Sequence, residues 1–178
     1  MSTSYVRLRD RFAVPDLDIC HALNRWGRSD RTRGFFRAIS QLGDGPAWYG
    51  LMTLLAIFGG KIGAQAALHL ALIGIASLLL YRSLKRWTRR PRPFAQHHSI
   101  QAHLAPLDEF SFPSGHTLHA TAFSVVACAY FPILAWLLVP FTLLVALSRV
   151  ILGLHYPSDV LAAFVIGSTL ASASLLIA

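Results

Sequence analysis

After a polar first quarter, the chain alternates long apolar runs with short polar islands. Five runs stand out, at 47–59, 62–84, 116–131, 133–154 and 160–178. Each is close to, or just below, the roughly 20 residues a membrane span needs. The connections Gly59–Gly63 (GGKIG) and Phe131–Ile133 (FPI) are short enough to join antiparallel neighbours. Upstream, Ile19, Leu23 and Trp26, then Phe35, Phe36, Ile39 and Leu42, recur at helical spacing among arginines such as Arg7, Arg9, Arg11, Arg25 and Arg37. That pattern predicts one or two amphipathic helices on a membrane surface, with arginines toward lipid phosphates. A turn signal, LGDGP at 42–46, closes the segment. The expected fold is therefore all-α: an integral membrane helical bundle of about five transmembrane helices, 46–178, preceded by a basic amphipathic segment, 1–45.

Composition agrees. Hydrophobic residues make up 54% of the chain and charged residues only 13%, about half the share of an ordinary soluble domain. The surplus apolar surface must face lipid. A net charge of +8 on a soluble domain would suit nucleic acid. Here the cations flank apolar runs, which excludes a nucleic-acid partner and favours anionic membrane lipids or a phosphorylated substrate. Cys20 lies in a polar segment and Cys128 in an apolar run. Both read as unpaired thiols, the buried one a small hydrophobe. The Arg-rich start lacks an adjacent apolar core and a small-residue cleavage site, so no cleavable signal peptide is expected. Of the 16 Lys and Arg residues, Lys61 alone falls in a connection of opposite sidedness. The positive-inside tendency puts the other side, and any site there, in the cytoplasm, whereas an N-terminus on the outer side would leave the site periplasmic.

Three polar islands carry the chemistry. The first, KRWTRRPRP at 85–93, leaves a span with Arg82, Lys85, Arg86, Arg89, Arg90 and Arg92 in or beside it. Pro91 and Pro93 stiffen the backbone around Arg92, whose guanidinium can grip a phosphate through two parallel hydrogen bonds. The second, SFPSGHTLHA at 111–120, opens an apolar helix. Pro113 suits a first turn, and Ser114, Gly115 and His116 would offer backbone N–H groups to an anion. His119 is expected to satisfy a polar contact. The third, SRVILGLHYPSD at 148–159, places Arg149 near the end of an apolar helix, where an arginine is expensive unless it pairs. In it His155 and Asp159 stand four apart. A carboxylate there can fix the imidazole tautomer and leave Nε2 free as a nucleophile. With five spans all three islands share one end of the bundle. Three cations, a backbone anion nest and two histidines then meet the needs of phosphoryl transfer: one imidazole attacks and the other protonates the leaving oxygen.

The order Lys85-x6-Arg92-Pro93, then Pro113-Ser114-Gly115-His116, then Ser148-Arg149-x5-His155-x3-Asp159 resembles the type 2 phosphatidic acid phosphatase (PAP2) superfamily of membrane lipid phosphate phosphatases. The likeness runs from about Leu42 to the C-terminus, and LGDG before the first span is similar to the family as well. The resemblance implies a metal-independent phosphatase, with no cofactor, acting on a lipid phosphate or diphosphate through a phosphohistidine. It implies His155 as nucleophile, Asp159 as its orienting partner and His116 as general acid. Lys85, Arg92, Arg149, Ser114 and the Gly115 backbone would hold the phosphoryl group. Phosphatidic acid, phosphatidylglycerol phosphate and undecaprenyl diphosphate are the substrate classes it suggests. A bacterial inner membrane is the expected location. Many bacterial members resemble six-span proteins, with an extra span ahead of the amphipathic segment that this chain does not display.

Other readings use the same residues. A lipid phosphotransferase would intercept the phosphohistidine with another acceptor. A vanadate-dependent haloperoxidase resembles the pocket but is soluble, and a non-catalytic lipid-binding protein would not need both His116 and His155. His97, His98 and His103, in the 94–112 connection, are expected to be solvated and not to ligate a metal.

Overall fold

The computed structural model describes residues 16–177, and Arg7, Arg9 and Arg11 lie outside them. Residues 16–24 form helix α1, and a 3-10 turn at Arg25–Arg28 leads into α2, Asp30–Gly43. The bundle follows: α3 (Pro46–Phe58), α4 (Gly60–Thr88), the single turn α5 (Pro93–Gln96), α6 (Gly115–Tyr130), α7 (Ala135–Ile151) and α8 (Pro157–Leu175). No strand occurs among the described residues.

Five helices therefore sit where five apolar runs predicted them. By length and composition three are fit to cross a membrane, at Gly60–Gln96, Pro132–Ile151 and Pro157–Leu175, while Pro46–Phe58 is apolar but shorter. The 16-residue α6 is short for a different reason. It is the central helix, packed against α4, α7 and α8, so its surroundings are side chains and not lipid. The core between these helices is built on Trp48, Leu70, Ile73, Phe123, Val126 and Val145. Close approach requires small residues: a Cβ on Gly167 of α8 would stand 2.8 Å from the Leu118 carbonyl oxygen of α6. The outer faces carry exposed Leu54, Leu68, Leu72, Leu137 and Val165, as lipid contact demands. Trp87 and Trp136, both exposed, lie at opposite ends of the bundle, where interfacial tryptophans anchor spans.

Three details depart from expectation. The first polar island begins on a helix, because α4 continues to Thr88 and ends only where Arg89 turns left-handed at φ 46°. A helix of 29 residues is about 43 Å long, more than the roughly 30 Å hydrocarbon layer, so its last turns stand clear of the lipid. The apolar stripe of α2 is divided: Phe36 packs on Ile151, Leu152 and Leu154, while Phe35 and Leu42 stay exposed as a surface helix requires. The two thiols are free, but their surroundings are exchanged: Cys20 is fully buried with Ile100, Ala146, Val150 and Val160, and Cys128 is partly exposed. A polar sequence neighbourhood does not keep Cys20 in water, since α1 folds back across the end of the bundle.

Candidate active site

The chain runs α3 away from one end of the bundle, α4 back, α6 away, α7 back and α8 away, so the end of α4, the starts of α6 and α8 and the end of α7 meet. A cavity of about 800 Å³ opens there. Lys85, Arg92, Gly115, His116, Arg149 and His155 all line it. Six of the eight residues singled out from sequence thus share one cavity. Asp159 sits behind His155, fully buried. Ser114 is also fully buried, with Oγ turned to Thr117 Oγ1 at 2.9 Å and its N–H donating to the Asp159 carbonyl at 3.2 Å. The free first-turn N–H groups of α6 therefore begin at Gly115.

His155 owes its position to the turn between α7 and α8. Gly153 makes the reversal at φ 75°, where a Cβ would strike the Gln101 carbonyl oxygen at 2.3 Å. The His155 N–H then bonds the Arg149 carbonyl at 3.2 Å. Arg92 Nη1 donates to the Leu154 carbonyl at 2.7 Å and approaches His155 Nε2 at 3.3 Å. A guanidinium only donates, so Nε2 is the unprotonated nitrogen and the proton lies on Nδ1. Nδ1 is buried, 3.5 Å from Asp159 Oδ2, with no closer partner. Burial, followed by the charges of Arg149, Arg92 and Lys85, holds His155 well below the ordinary imidazole range. It is a neutral imidazole whose Nε2 meets the Arg92 guanidinium on the cavity wall.

Asp159 is held from two further directions. The Tyr156 N–H donates to Oδ2 at 2.9 Å, and Arg90 Nη1 donates to Oδ1 at 2.7 Å. Arg90 also stacks 4.1 Å over the Tyr156 ring and bonds Asp16 Oδ2 at 2.8 Å. Asp16 in turn accepts from the Ser158 N–H at 2.8 Å, capping the start of α8. Across the cavity, His116 Nε2 lies 3.1 Å from Asp44 Oδ1. The Asp44 carboxyl is held below its ordinary value, mainly by that contact. Arg149 is paired by a hydrogen bond to Ser40 Oγ, while its Nε is buried without a partner. An unpaired buried donor costs about 1–3 kcal/mol, a cost consistent with a site shaped for an anion.

Arg90, Asp44, Asp108 and Ser40 were not singled out from sequence. Arg90 stood in the polybasic island with nothing to separate it from its neighbours, and Asp44 stood in the LGDG turn. Asp108 Oδ1 and Oδ2 accept from Lys85 Nζ at 2.7 and 2.8 Å, and Oδ1 from Arg92 Nη2 at 2.7 Å. Burial alone would raise the Asp108 carboxyl, but Lys85 and Arg92 outweigh it and hold it below the carboxylate range. His119 makes the polar contact expected of it, Nε2 to the Gly74 carbonyl at 3.1 Å, and stacks on Phe123. His98 is exposed as expected and His97 is partly so, whereas the His103 ring has a buried, unpartnered Nε2 against Gly27. Among the described residues, no three His, Cys, Asp or Glu side chains converge on a metal position.

The PAP2 superfamily model matches residues 66–178, well over half of the sequence. The chain belongs to the PAP2 superfamily. Among its PAP2 relatives is undecaprenyl-diphosphatase BcrC of Bacillus subtilis, 37% identical over 119 residues, covering 65% of this chain and 60% of that one. Phosphatidylglycerophosphatase B of the same organism is 34% identical over 141 residues, covering 67% of this chain and 53% of that one. The chain thus spans between half and two thirds of the length of these relatives. In three dimensions it superposes on a transmembrane PAP2-type phosphatidylglycerolphosphate phosphatase from Bacillus subtilis with TM-score 0.76 and 25% identity, over 99% of this chain and 87% of that one. With its apolar helices, this PAP2 chain is an integral membrane protein.

Proposed function

We propose that the protein is a metal-independent phosphatase that hydrolyses a lipid phosphate or diphosphate through a phosphohistidine. The observation that carries the reading is a pair of imidazoles on one cavity: His155, neutral with an unprotonated Nε2 that Arg92 Nη1 approaches, and His116, beside a carboxylate, both lining the cavity that Lys85, Arg92 and Arg149 make positive. In the first step His155 Nε2 attacks phosphorus. The P–O bond to the leaving group breaks, and His116 gives that oxygen its proton. Asp159 holds the imidazole through Nδ1 and stabilises the charge it gains. Lys85, Arg92, Arg149 and the Gly115 N–H bind the equatorial oxygens, where charge develops. Ser114 acts by anchoring the start of α6. In the second step His116 takes a proton from water, which attacks the phosphohistidine and releases phosphate.

The lipid class is supported by the rest of the cavity wall. Trp48, Met52, Leu70, Ala71, Ile75 and Leu78 extend it between α3 and α4 along the apolar layer. A headgroup at the cations would leave its hydrocarbon in that groove. The names of the relatives make undecaprenyl diphosphate and phosphatidylglycerol phosphate the first substrates to try, with phosphatidic acid beside them. The catalytic domain is 46–178, and the basic segment 1–45 adds Ser40 and Asp44 to its site. A bacterial inner membrane with the site facing the cytoplasm fits the cation-rich end.

Phosphate release by detergent-purified protein, with excess chelator, tests the reading across these three lipids. Release from one of them is expected. Release that needs an added divalent cation would remove the metal-independent mechanism, and no release from any would point to a transferase needing its acceptor or to a lipid outside these three.

A further inference from the structure

The cations of the site already hold an anion, and it is part of the chain. The Asp108 carboxylate is bound by Lys85 and Arg92, and Arg92 Nε also donates to the Asp108 carbonyl at 3.0 Å. Lys85 Nζ donates in addition to the Phe110 carbonyl at 2.9 Å. The two cations are 5% and 2% exposed, whereas the Asp108 side chain is 40% exposed. The carboxylate therefore caps the buried cations from the open side. Asp108 lies on the cavity wall, in the connection between α5 and α6. Any phosphate reaching Lys85 and Arg92 must take its place. The carboxylate does not fill the site, because Arg149 Nε stays buried and unpartnered.

We propose that Asp108 is an internal counter-anion which sets a charge threshold for the substrate, admitting phosphate monoesters and terminal diphosphates while rejecting phosphodiesters. The inference rests on the phosphatase reading. A monoester carries about −1.5 to −2 at neutral pH and three terminal oxygens. Against the same cations it has up to twice the Coulomb attraction of a carboxylate, and an extra oxygen for Arg149. A phosphodiester carries one charge and two such oxygens, like the carboxylate it would replace. It gains nothing by the exchange. A bilayer offers phosphodiester headgroups in large excess, so a cation site without an internal anion would be occupied by them. Asp108 thereby acts as a specificity determinant.

The test is equilibrium binding, which needs no turnover. Inorganic phosphate is titrated by calorimetry into the full chain in neutral detergent, for wild type, Asp108→Asn and Glu109→Gln. Short-chain phosphatidylglycerol is then added as a competitor. Phosphate should bind Asp108→Asn about tenfold tighter or more, phosphatidylglycerol should compete only in that variant, and Glu109→Gln, on the same cavity wall but bonded to neither cation, should tighten phosphate far less. Equal or weaker phosphate binding by Asp108→Asn would overturn the proposal, because Asp108 would then be positioning the cations. So would equal tightening by Glu109→Gln, which would show a general effect of loop charge. Should Asp108→Asn not fold, hydrogen exchange of the wild type decides. Phosphate should speed exchange at 108–110 by releasing the loop, and slowed or unchanged exchange would overturn the idea. Failure of the phosphatase reading is recognised separately, by wild-type protein that releases no phosphate from any lipid.

Discussion

His116 Nε2 stands 3.1 Å from Asp44 Oδ1, joining the start of α6 to the turn after α2. It places an acidic partner on each of the two imidazoles, since Asp159 lies 3.5 Å from His155 on the other side. The two acids differ in setting. Asp44 is partly exposed and ionised, with its carboxyl held below the ordinary range, while Asp159 is fully buried and tied to Arg90.

Burial and the Arg149 charge oppose protonation of His116, and an ionised Asp44 works against them, toward the form a general acid needs. Asp44→Asn removes that charge, so the imidazole loses its proton at lower pH. The alkaline limb of the pH–rate profile should move to lower pH. Turnover of alkyl phosphates at pH 8 should fall about tenfold or more, and that of an aryl phosphate much less. An unmoved limb would take Asp44 out of the proton path.

Removing the nucleophile should leave a folded, inactive protein. His155→Ala is expected to lose at least about 10⁴-fold in turnover, with unchanged gel filtration in detergent. Acid quenching of wild type with labelled substrate should trap an acid-labile phosphoprotein that the variant lacks. His116→Ala should lose on the order of 10²- to 10⁴-fold with an alkyl leaving group and far less with an aryl one. Equal losses on both would contradict its role as the acid.

The neutral state of His155 has its own signature. Burial, followed by three nearby cations, pulls its proton affinity down. Its imidazole should therefore stay neutral as pH falls through 6.5, where an ordinary histidine takes up a proton. Histidine-selective ¹⁵N spectra, with His155→Ala for assignment, would show this directly. A resonance titrating near 6.5 would mean the cations do not act on His155 as their placement requires.

Arg90 lies behind the cavity and not in its wall, and it donates to Asp159 at 2.7 Å. Arg90→Ala leaves a fully buried carboxylate without its cation, a loss of about 3 kcal/mol, the low end for breaking a buried pair. Thermal unfolding should report it. The same change should lower kcat with KM nearly unchanged, and Arg90→Lys should restore part of kcat. A rise in KM alone would place Arg90 in binding instead.

The α6–α8 contact links packing to chemistry. A side chain at Gly167 meets the Leu118 carbonyl and Thr121 of α6. Gly167→Val should force the helices apart at a cost of about 1–3 kcal/mol. Because α6 carries His116 and α8 carries Asp159, activity should fall with stability. A fully active, equally stable variant would show that this approach is not needed.

Much of this was legible in the chain. The apolar runs named five helices and their order, because lipid and packed neighbours both demand apolar faces. Short connections made the helices antiparallel, and alternation then brought Lys85, Arg92, His116, Arg149 and His155 to one end. That step needs only counting, so cations far apart in sequence could be assigned to a common site.

The acids were decided by tertiary structure. Asp44, Asp108 and the link from Arg90 to Asp159 depend on how each helix is rotated and on the path of the 97–114 connection, and neither leaves a period in the sequence. Cys20 shows the same limit: a residue in a polar stretch becomes fully buried because α1 folds back over α7 and α8. Hydrophobic periodicity reports which face of an element avoids water. Which charge meets which is set by distances of a few ångströms between distant segments, and only the folded chain supplies them.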